Sequence, residues 1–312
     1  MSNFYPVKLI PAFKDYIWGG ERLKKEFNKK CDFEKVAESW ELSAHKDGES
    51  RVAFEGEELT LSAYVARLGK SALGKNSGKY DYFPLLIKLI DDKQALSVQV
   101  HPSDEYALEH EGEYGKTEMW YVVDCDEGAS LYYGFKSAVT REEYAKAITE
   151  DRLCELLRKV EVKAGDVFFI PSGTVHAIGA GMLICEVQQN SNTTYRVYDY
   201  GRRDSLGNLR PLHIDKALQV SNLEPMPEIE NVGDMLCACE YFEVYRRSVS
   251  GKSEIAVSED SFASLTVTRG ECKLIFDGGE IELCTGESVF IPAQNKSFEI
   301  LGECEIIDSR VK

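Results

Sequence analysis

Gly165-Asp166-Val167-Phe168-Phe169-Ile170-Pro171-Ser172-Gly173-Thr174-Val175-His176 reads as a turn glycine, a short apolar run, a Pro/Gly-shaped bend and then a histidine. The run has the composition of a strand, and the bend can aim the imidazole back over it. Its first half recurs. Gly286-Glu287-Ser288-Val289-Phe290-Ile291-Pro292 keeps the glycine-to-proline spacing, and each copy follows a run of alternating strand residues. This repetition predicts two β-barrels, with a boundary near Leu223-Glu224-Pro225-Met226-Pro227, where two prolines interrupt regular structure. The copies differ at one decisive place: Ser297 stands where the first has His176, and no histidine follows His213. The second unit is therefore expected to be structural, packing on the first, covering sheet edges or lending a wall to a cleft.

Outward from His176, three further residues have metal-ligand character. In Ala95-Leu96-Ser97-Val98-Gln99-Val100-His101, apolar Leu96, Val98 and Val100 alternate with polar Ser97, Gln99 and His101. That is the period of a strand with one apolar and one polar face, so Gln99 and His101 project to the same side. Glu118 leads into Met119-Trp120-Tyr121-Val122-Val123, an aromatic and β-branched run that reads as another strand and can present the carboxylate to the same cavity. Gln99, His101, Glu118 and His176 thus offer an amide oxygen, two imidazole nitrogens and a carboxylate. This donor set suits a borderline divalent ion such as zinc inside a β-barrel, with open positions for water or substrate oxygens.

Composition narrows the classes of partner. The chain has 312 residues, enough for two core-forming units, and a formal charge of −16, which argues against nucleic acid or an anionic membrane as partner. A small anionic substrate remains compatible with a local pocket of Lys and Arg. The nine cysteines are odd in number and form no paired CxxC framework. Together with the lack of an apolar segment at the start, they predict reduced thiols and a cytoplasmic location. Cys237-Ala238-Cys239 reads as ordinary strand packing. Around Phe83 to Ile90 the longest apolar stretch is too short to span a membrane and contains Lys88. Helices are predicted over about 61–73 and 140–160. The second opens on Thr140-Arg141-Glu142-Glu143, which has capping-box spacing, and Leu153, Leu156, Leu157 and Val160 recur at helical intervals.

The same residues carry a family likeness. The Gly165 to His176 segment resembles the second metal motif of the cupin barrels. Gln99-Val100-His101-Pro102 and Lys116-Thr117-Glu118-Met119 resemble the type I mannose-6-phosphate isomerases, in their compact bacterial form. Further likeness runs from Tyr16-Ile17-Trp18-Gly19-Gly20 through Glu38-Ser39-Trp40-Glu41 and Pro84 to Lys88, and reaches Asn190 to Arg196. The resemblance implies a mainly β fold of two cupin (jelly-roll) barrels with a small helical insertion. Residues 1–225 would form the metal-binding barrel and 226–312 a barrel without ligands.

It also implies a zinc-dependent aldose–ketose isomerase, with one zinc ion per chain and a phosphorylated hexose as substrate. Gln99, His101, Glu118 and His176 would hold the ion, and Arg196 and Lys116 would be catalytic. Ser97, Lys88, Glu186 and Trp18 would bind substrate, Ser97 and Lys88 through its phosphate. Two departures matter: Thr117 replaces the proline of the family's Lys-Pro-Glu motif, and Asn192 stands where some members have an acidic residue. The proton-transferring base is thereby left open, with Glu186 as one candidate. His110 and His213 read as packed or solvated, and the position of His45 after Glu38-Ser39-Trp40 does not by itself make it catalytic. Two other classes stay in view, a metallo-cupin of the dioxygenase type and a non-catalytic sugar-binding cupin. The oligomeric state is left open, and a monomer is compatible with the sequence.

Overall fold

The computed structural model describes residues 4–203, 207–227 and 233–312, and they are mainly β. Three of their four sheets organise them. A six-stranded antiparallel sheet runs in the order Val167–Ile170, Glu118–Cys125, Met182–Gln189, Leu85–Asp92, Glu38–Leu42, Ala12–Lys14. A five-stranded sheet runs Leu157–Glu161, Ser130–Phe135, His176–Ala177, Val98–Val100, Tyr195–Tyr198. The two sheets pack on each other: Ile90, Trp120, Val122, Phe168, Ile170 and Ile184 of the first share a core with Leu131 and Tyr133 of the second.

Alternation along the central strands of the six-stranded sheet gives it two different faces. Lys88, Trp120 and Glu186 turn towards the five-stranded sheet, whereas Ile87, Leu89, Met119, Tyr121, Cys185 and Val187 turn the other way. There they share a core with Phe242, Val244, Phe262, Phe290 and Ile307 of the C-terminal region. Every residue of Leu85–Asp92 and of Met182–Gln189 is buried, because both faces are covered.

The C-terminal region belongs to a nine-stranded sheet built on three long strands, Phe242–Val257, Ala263–Phe276 and Lys296–Val311. The same sheet also takes in Val7–Ile10, Arg51–Phe54 and Glu57–Thr60, so residues on either side of the expected division near Pro225 share one sheet. The sequence repeat is also a repeat of hydrogen bonds. Gly165 and Gly286, at φ of 92° and 89°, donate to the carbonyls of Val122 and Val267, each at 2.8 Å. The following strands pair in the same manner, Ile170 opposite Glu118 and Ile291 opposite Ala263.

The helices depart from expectation at their ends. Thr60 caps Leu61–Leu68 by accepting from Ala63 N, and the helix stops at Gly69, whose φ of 89° no helix contains; a separate 3₁₀ turn follows over Lys70–Leu73. The Thr140/Glu143 capping box forms with both of its hydrogen bonds. The segment expected to be helical over 140–160 divides into Arg141–Thr149, Leu153–Leu156 and then a strand, Leu157–Glu161. Val160 sits opposite Leu131 in that strand, so pairing with Ser130–Phe135 overrides the helical spacing of the leucines. Among the described residues no helix is long and apolar enough to cross a membrane.

Candidate metal centre and cleft

Between the two facing sheets the polar side chains converge. Val98 and Val100 bury their side chains in a core behind the five-stranded sheet, which turns Gln99 to the opposite face. His176 lies directly across the ladder from Gln99, with its Nε2 3.4 Å from the Gln99 amide nitrogen. A half-turn of the amide brings its oxygen there instead. His101 follows at the end of the strand, and Glu118 comes from the facing sheet. The ligating atoms of His101, Glu118 and His176 all lie within 4.8 Å of one another, and the three residues are buried. His176 Nε2 is 3.4 Å from Glu118 Oε1, and His101 Nε2 is 3.7 Å from Glu118 Oε2.

Two backbone carbonyls orient the rings. His101 Nδ1 faces Thr193 O at 2.9 Å and His176 Nδ1 faces Thr174 O at 2.8 Å. Each Nδ1 therefore carries the hydrogen and donates, leaving the Nε2 lone pairs turned to Glu118. Burial, reinforced by the nearby charge of Lys116, holds both imidazoles in the neutral form, with the His176 pKa pushed down to about 3 and that of His101 also lowered. Glu118 Oε1 is buried and has no hydrogen-bond partner. An unpaired carboxylate oxygen beside an imidazole lone pair is costly unless a cation joins them. Tetrahedral ligands about 2.0–2.1 Å from zinc lie roughly 3.4 Å apart, close to the separations found here. The donor set and its spacing therefore fit a divalent ion.

Beside this centre a cleft of about 270 Å³ is lined by Trp18, Lys88, Ser97, Gln99, Lys116, Glu186 and Arg196, together with Tyr16, Glu38, Asn192, Thr194, Arg210 and His213. A larger cavity, about 1040 Å³, runs beside the Leu61–Leu68 helix and Ala293–Lys296. It contains none of the candidate ligands, so the chemistry belongs to the smaller one. The floor of the cleft is an alternation of charges. Lys88 reaches Glu186 at 3.0 Å and Glu38 at 3.8 Å, and Lys116 reaches Glu186 at 3.8 Å, Glu118 Oε2 and, at 3.2 Å, His101 Nε2. Trp120 Nε1 donates to Glu186 at 2.9 Å and Trp40 Nε1 to Glu38 at 2.6 Å.

Burial alone would raise the Glu186 carboxyl, but the ammonium groups of Lys116 and Lys88 outweigh it and keep Glu186 ionised. Glu118 is pushed up instead, by burial and by the charge of Glu186. Arg196 lies opposite Gln99 across the strands, donates from Nη1 to Pro211 O at 3.0 Å, and keeps a buried Nε without a partner. Arg210 is fixed by Asp199, at 2.7 and 2.5 Å.

Every site residue expected from the sequence is thus brought to this centre or its cleft. His45 is buried against Trp40, and the exposed His110 stacks on Tyr106. His213 is a correction: it lines the cleft. Glu38 was within reach of sequence reasoning, since it precedes Trp40 by two positions on a strand and shares its face. Arg210 and His213 lie outside any strand, where no periodicity marks a direction.

Residues 7–127 match the family described as phosphomannose isomerase type I, catalytic domain, and residues 233–311 the mannose-6-phosphate isomerase cupin domain. The chain is 40% identical over 319 residues to the mannose-6-phosphate isomerase ManA of Bacillus subtilis, covering 98% of this chain and 99% of the relative. It is 39% identical over 317 residues to the mannose-6-phosphate isomerase of Streptococcus mutans, covering 97% and 98%. The crystal structure of a Bacillus subtilis mannose 6-phosphate isomerase superposes with a TM-score of 0.88 at 37% identity, over 97% of this chain and 99% of that one. A zinc-bound holo mannose 6-phosphate isomerase shares the fold, with a TM-score of 0.80 at 19% identity, over 98% and 99%.

Proposed function

The chain belongs to the type I mannose-6-phosphate isomerase family, whose interconversion of mannose 6-phosphate and fructose 6-phosphate it carries out, and we propose that one zinc ion held by Gln99, His101, Glu118 and His176 serves that reaction. The observation that carries the assignment is the buried set of two neutral imidazoles around an unpartnered Glu118 oxygen. When bound, zinc supplies a Lewis acid for the sugar's oxygens. The protein's own side chains do the rest.

Isomerisation passes a proton between C1 and C2 of the open-chain sugar through an enediol, so charge develops on two neighbouring oxygens. Arg196, opposite Gln99, presents a permanent cation to that end of the cleft. Lys116, beside Glu118 and Glu186, is placed to hand protons to and from the same oxygens. Glu186 is held ionised by two lysines, which makes it a weak base and favours a role in fixing Lys88 and Lys116.

Ser97, expected on the strand of Gln99, lies just before its first residue, Val98, and is buried in the wall of the cleft. It is read as a phosphate contact together with Lys88 and Arg210, which line the same cleft. Arg210, oriented by Asp199, joins the expected pair on that ground. Trp18 walls the apolar face of the sugar, as aromatic side chains do for hexoses.

In fold terms the reading is of two cupin-like jelly-roll units, residues 1–225 and 226–312, with the ligands confined to the first. The pattern of paired glycine turns supports it. Nine free cysteines support a reducing, cytoplasmic setting. Residues of a single chain supply the whole centre, so one copy suffices for the site. No observation favours a dioxygenase or a non-catalytic sugar binder. A coupled assay for fructose 6-phosphate made from mannose 6-phosphate, run before chelation, after it and after adding zinc back, tests the proposal. Activity should disappear with the metal and return with zinc, and full activity in metal-free protein would overturn it.

A further inference from the structure

His213 opens the helix Ile214–Val220 and is locked to Arg196 by two reciprocal hydrogen bonds. Its backbone N–H donates to Arg196 O at 2.8 Å, and the Arg196 backbone N–H donates to His213 Nδ1 at 3.2 Å. A backbone amide is only ever a donor, so Nδ1 must be the acceptor, and in the neutral ring the hydrogen resides on Nε2. The Tyr195 ring lies 6.1 Å away, tilted at 45°, and limits how far the imidazole can swing. Among the described residues Nε2 has no hydrogen-bond partner in the protein, and the residue lines the cleft. Because Arg196 pairs with Gln99 across the sheet, this N–H belongs to the wall next to the metal centre.

Resting on the isomerase reading above, we propose that His213 is a further catalytic residue, a neutral imidazole whose Nε2–H donates a hydrogen bond to a substrate oxygen at the reacting end of the cleft. Partial burial and the charges of Arg196 and Lys216 keep the ring neutral, against the opposing pull of Glu111. A neutral imidazole gives up its last proton only with great difficulty. It can therefore stabilise negative charge on an enediol oxygen while keeping that proton, as a neutral histidine does in triosephosphate isomerase. No bond to hydrogen breaks at His213: the proton that leaves carbon goes to the base, and the imidazole shares its hydrogen without transferring it. The sequence offered no sign of this, since the tautomer depends on a contact between residues in different elements.

The test compares two variants of the zinc-loaded enzyme. In His213→Gln the amide nitrogen occupies the place of Nε2, whereas in His213→Asn it reaches only as far as Nδ1. His213→Asn should lower kcat about 100-fold while KM stays within about threefold and zinc content and Tm are unchanged. His213→Gln should recover at least about tenfold of that loss. Normal kcat with a raised KM would make His213 a ground-state contact, and a joint loss of activity, zinc and Tm in both variants would make it structural; either overturns the proposal. Imidazole ¹⁵N NMR of the wild-type protein gives a readout independent of how the variants fold. It should show Nε2 protonated and Nδ1 bare, and the opposite tautomer refutes the inference. If wild-type protein makes no fructose 6-phosphate, the isomerase reading fails and this one with it; a normal wild type with an unaffected His213→Asn defeats this one alone.

Discussion

Set side by side, the two regions that repeat the glycine–strand–proline segment use nearly the same ladder for opposite ends. In the first, Gln99 faces His176 and Glu118 faces Ile170; in the second, Ala256 faces Ser297 and Ala263 faces Ile291. Following the register, Gln99, His101, Glu118 and His176 correspond to Ala256, Ser258, Ala263 and Ser297, so all four donors are missing, where the sequence comparison had shown the loss of one. The strands differ as well. Phe242–Val257 and Lys296–Val311 run unbroken for 16 residues each, whereas their counterparts are interrupted, Leu85–Asp92 from Val98–Val100 and His176–Ala177 from Met182–Gln189. Interruption splits one continuous ladder into two facing sheets with a cleft between them. Continuity leaves an apolar core instead, in which Ala263 stands where the other region keeps Glu118.

The largest effect that would break this comparison is at His176. His176→Ala should abolish both zinc loading, about one ion per chain in the wild type by elemental analysis, and isomerase activity. A variant that keeps its zinc would show that the ligand set is wrong.

Next in size is Arg196. Arg196→Ala, and even Arg196→Lys, should keep zinc and Tm near wild type while turnover falls at least about tenfold, or roughly 1.4 kcal/mol of barrier. A loss of zinc or of fold would make Arg196 structural, and a raised KM with normal turnover would make it a ground-state clamp.

Acid sharpens the contrast more gently. In metal-free protein the unfolded chain protonates His176 below its ordinary value of 6.5, while the folded chain resists until about 3. The unfolded state thus binds more protons across that window, and stability is full above about pH 6.5 and declines as pH falls towards 3. No histidine follows His213, so hydrogen exchange of chelated protein at pH 5.5 should rise first in the two facing sheets and only later in 242–311. Equal loss of protection in both regions would contradict this.

Smallest is Ser297→Ala, which should leave turnover and zinc content unchanged within error; anomalous scattering from a tightly bound ion within 233–312 would refute the division of labour.

Gln99 and His101 were legible because alternation along Ala95 to His101 fixed their side, and His176 because the Pro171 to Gly173 bend marked its turn. Val98 and Val100 had to be buried, so Gln99 and His101 had to face away. The repeat of Gly165 and Gly286 was legible because a left-handed turn admits few residues other than glycine. Where the sequence misled, long-range pairing had the last word. Leu157 and Val160 keep helical spacing but join a strand, because the free edge of Ser130–Phe135 offers them a ladder. Arg210 and His213 were illegible for a different reason. Their direction is set by Asp199 and by the backbone of Arg196, contacts that no local pattern announces.

The six-stranded sheet, covered on both sides, writes two texts into one line. Along Leu85–Asp92 and Met182–Gln189, alternate letters belong to the reaction and to the seam with the C-terminal region. A saturation scan of these strands should therefore show tolerance with a period of two and different rules in each phase. Ile87, Leu89, Cys185 and Val187 should accept other apolar residues of similar volume, whereas Lys88 and Glu186 should accept almost nothing. Inserting or deleting a single residue exchanges the phases and ruins both texts at once. During divergence, such strands can drift by substitution but not by change of length, which leaves the loops at their ends as the place where related enzymes are free to differ.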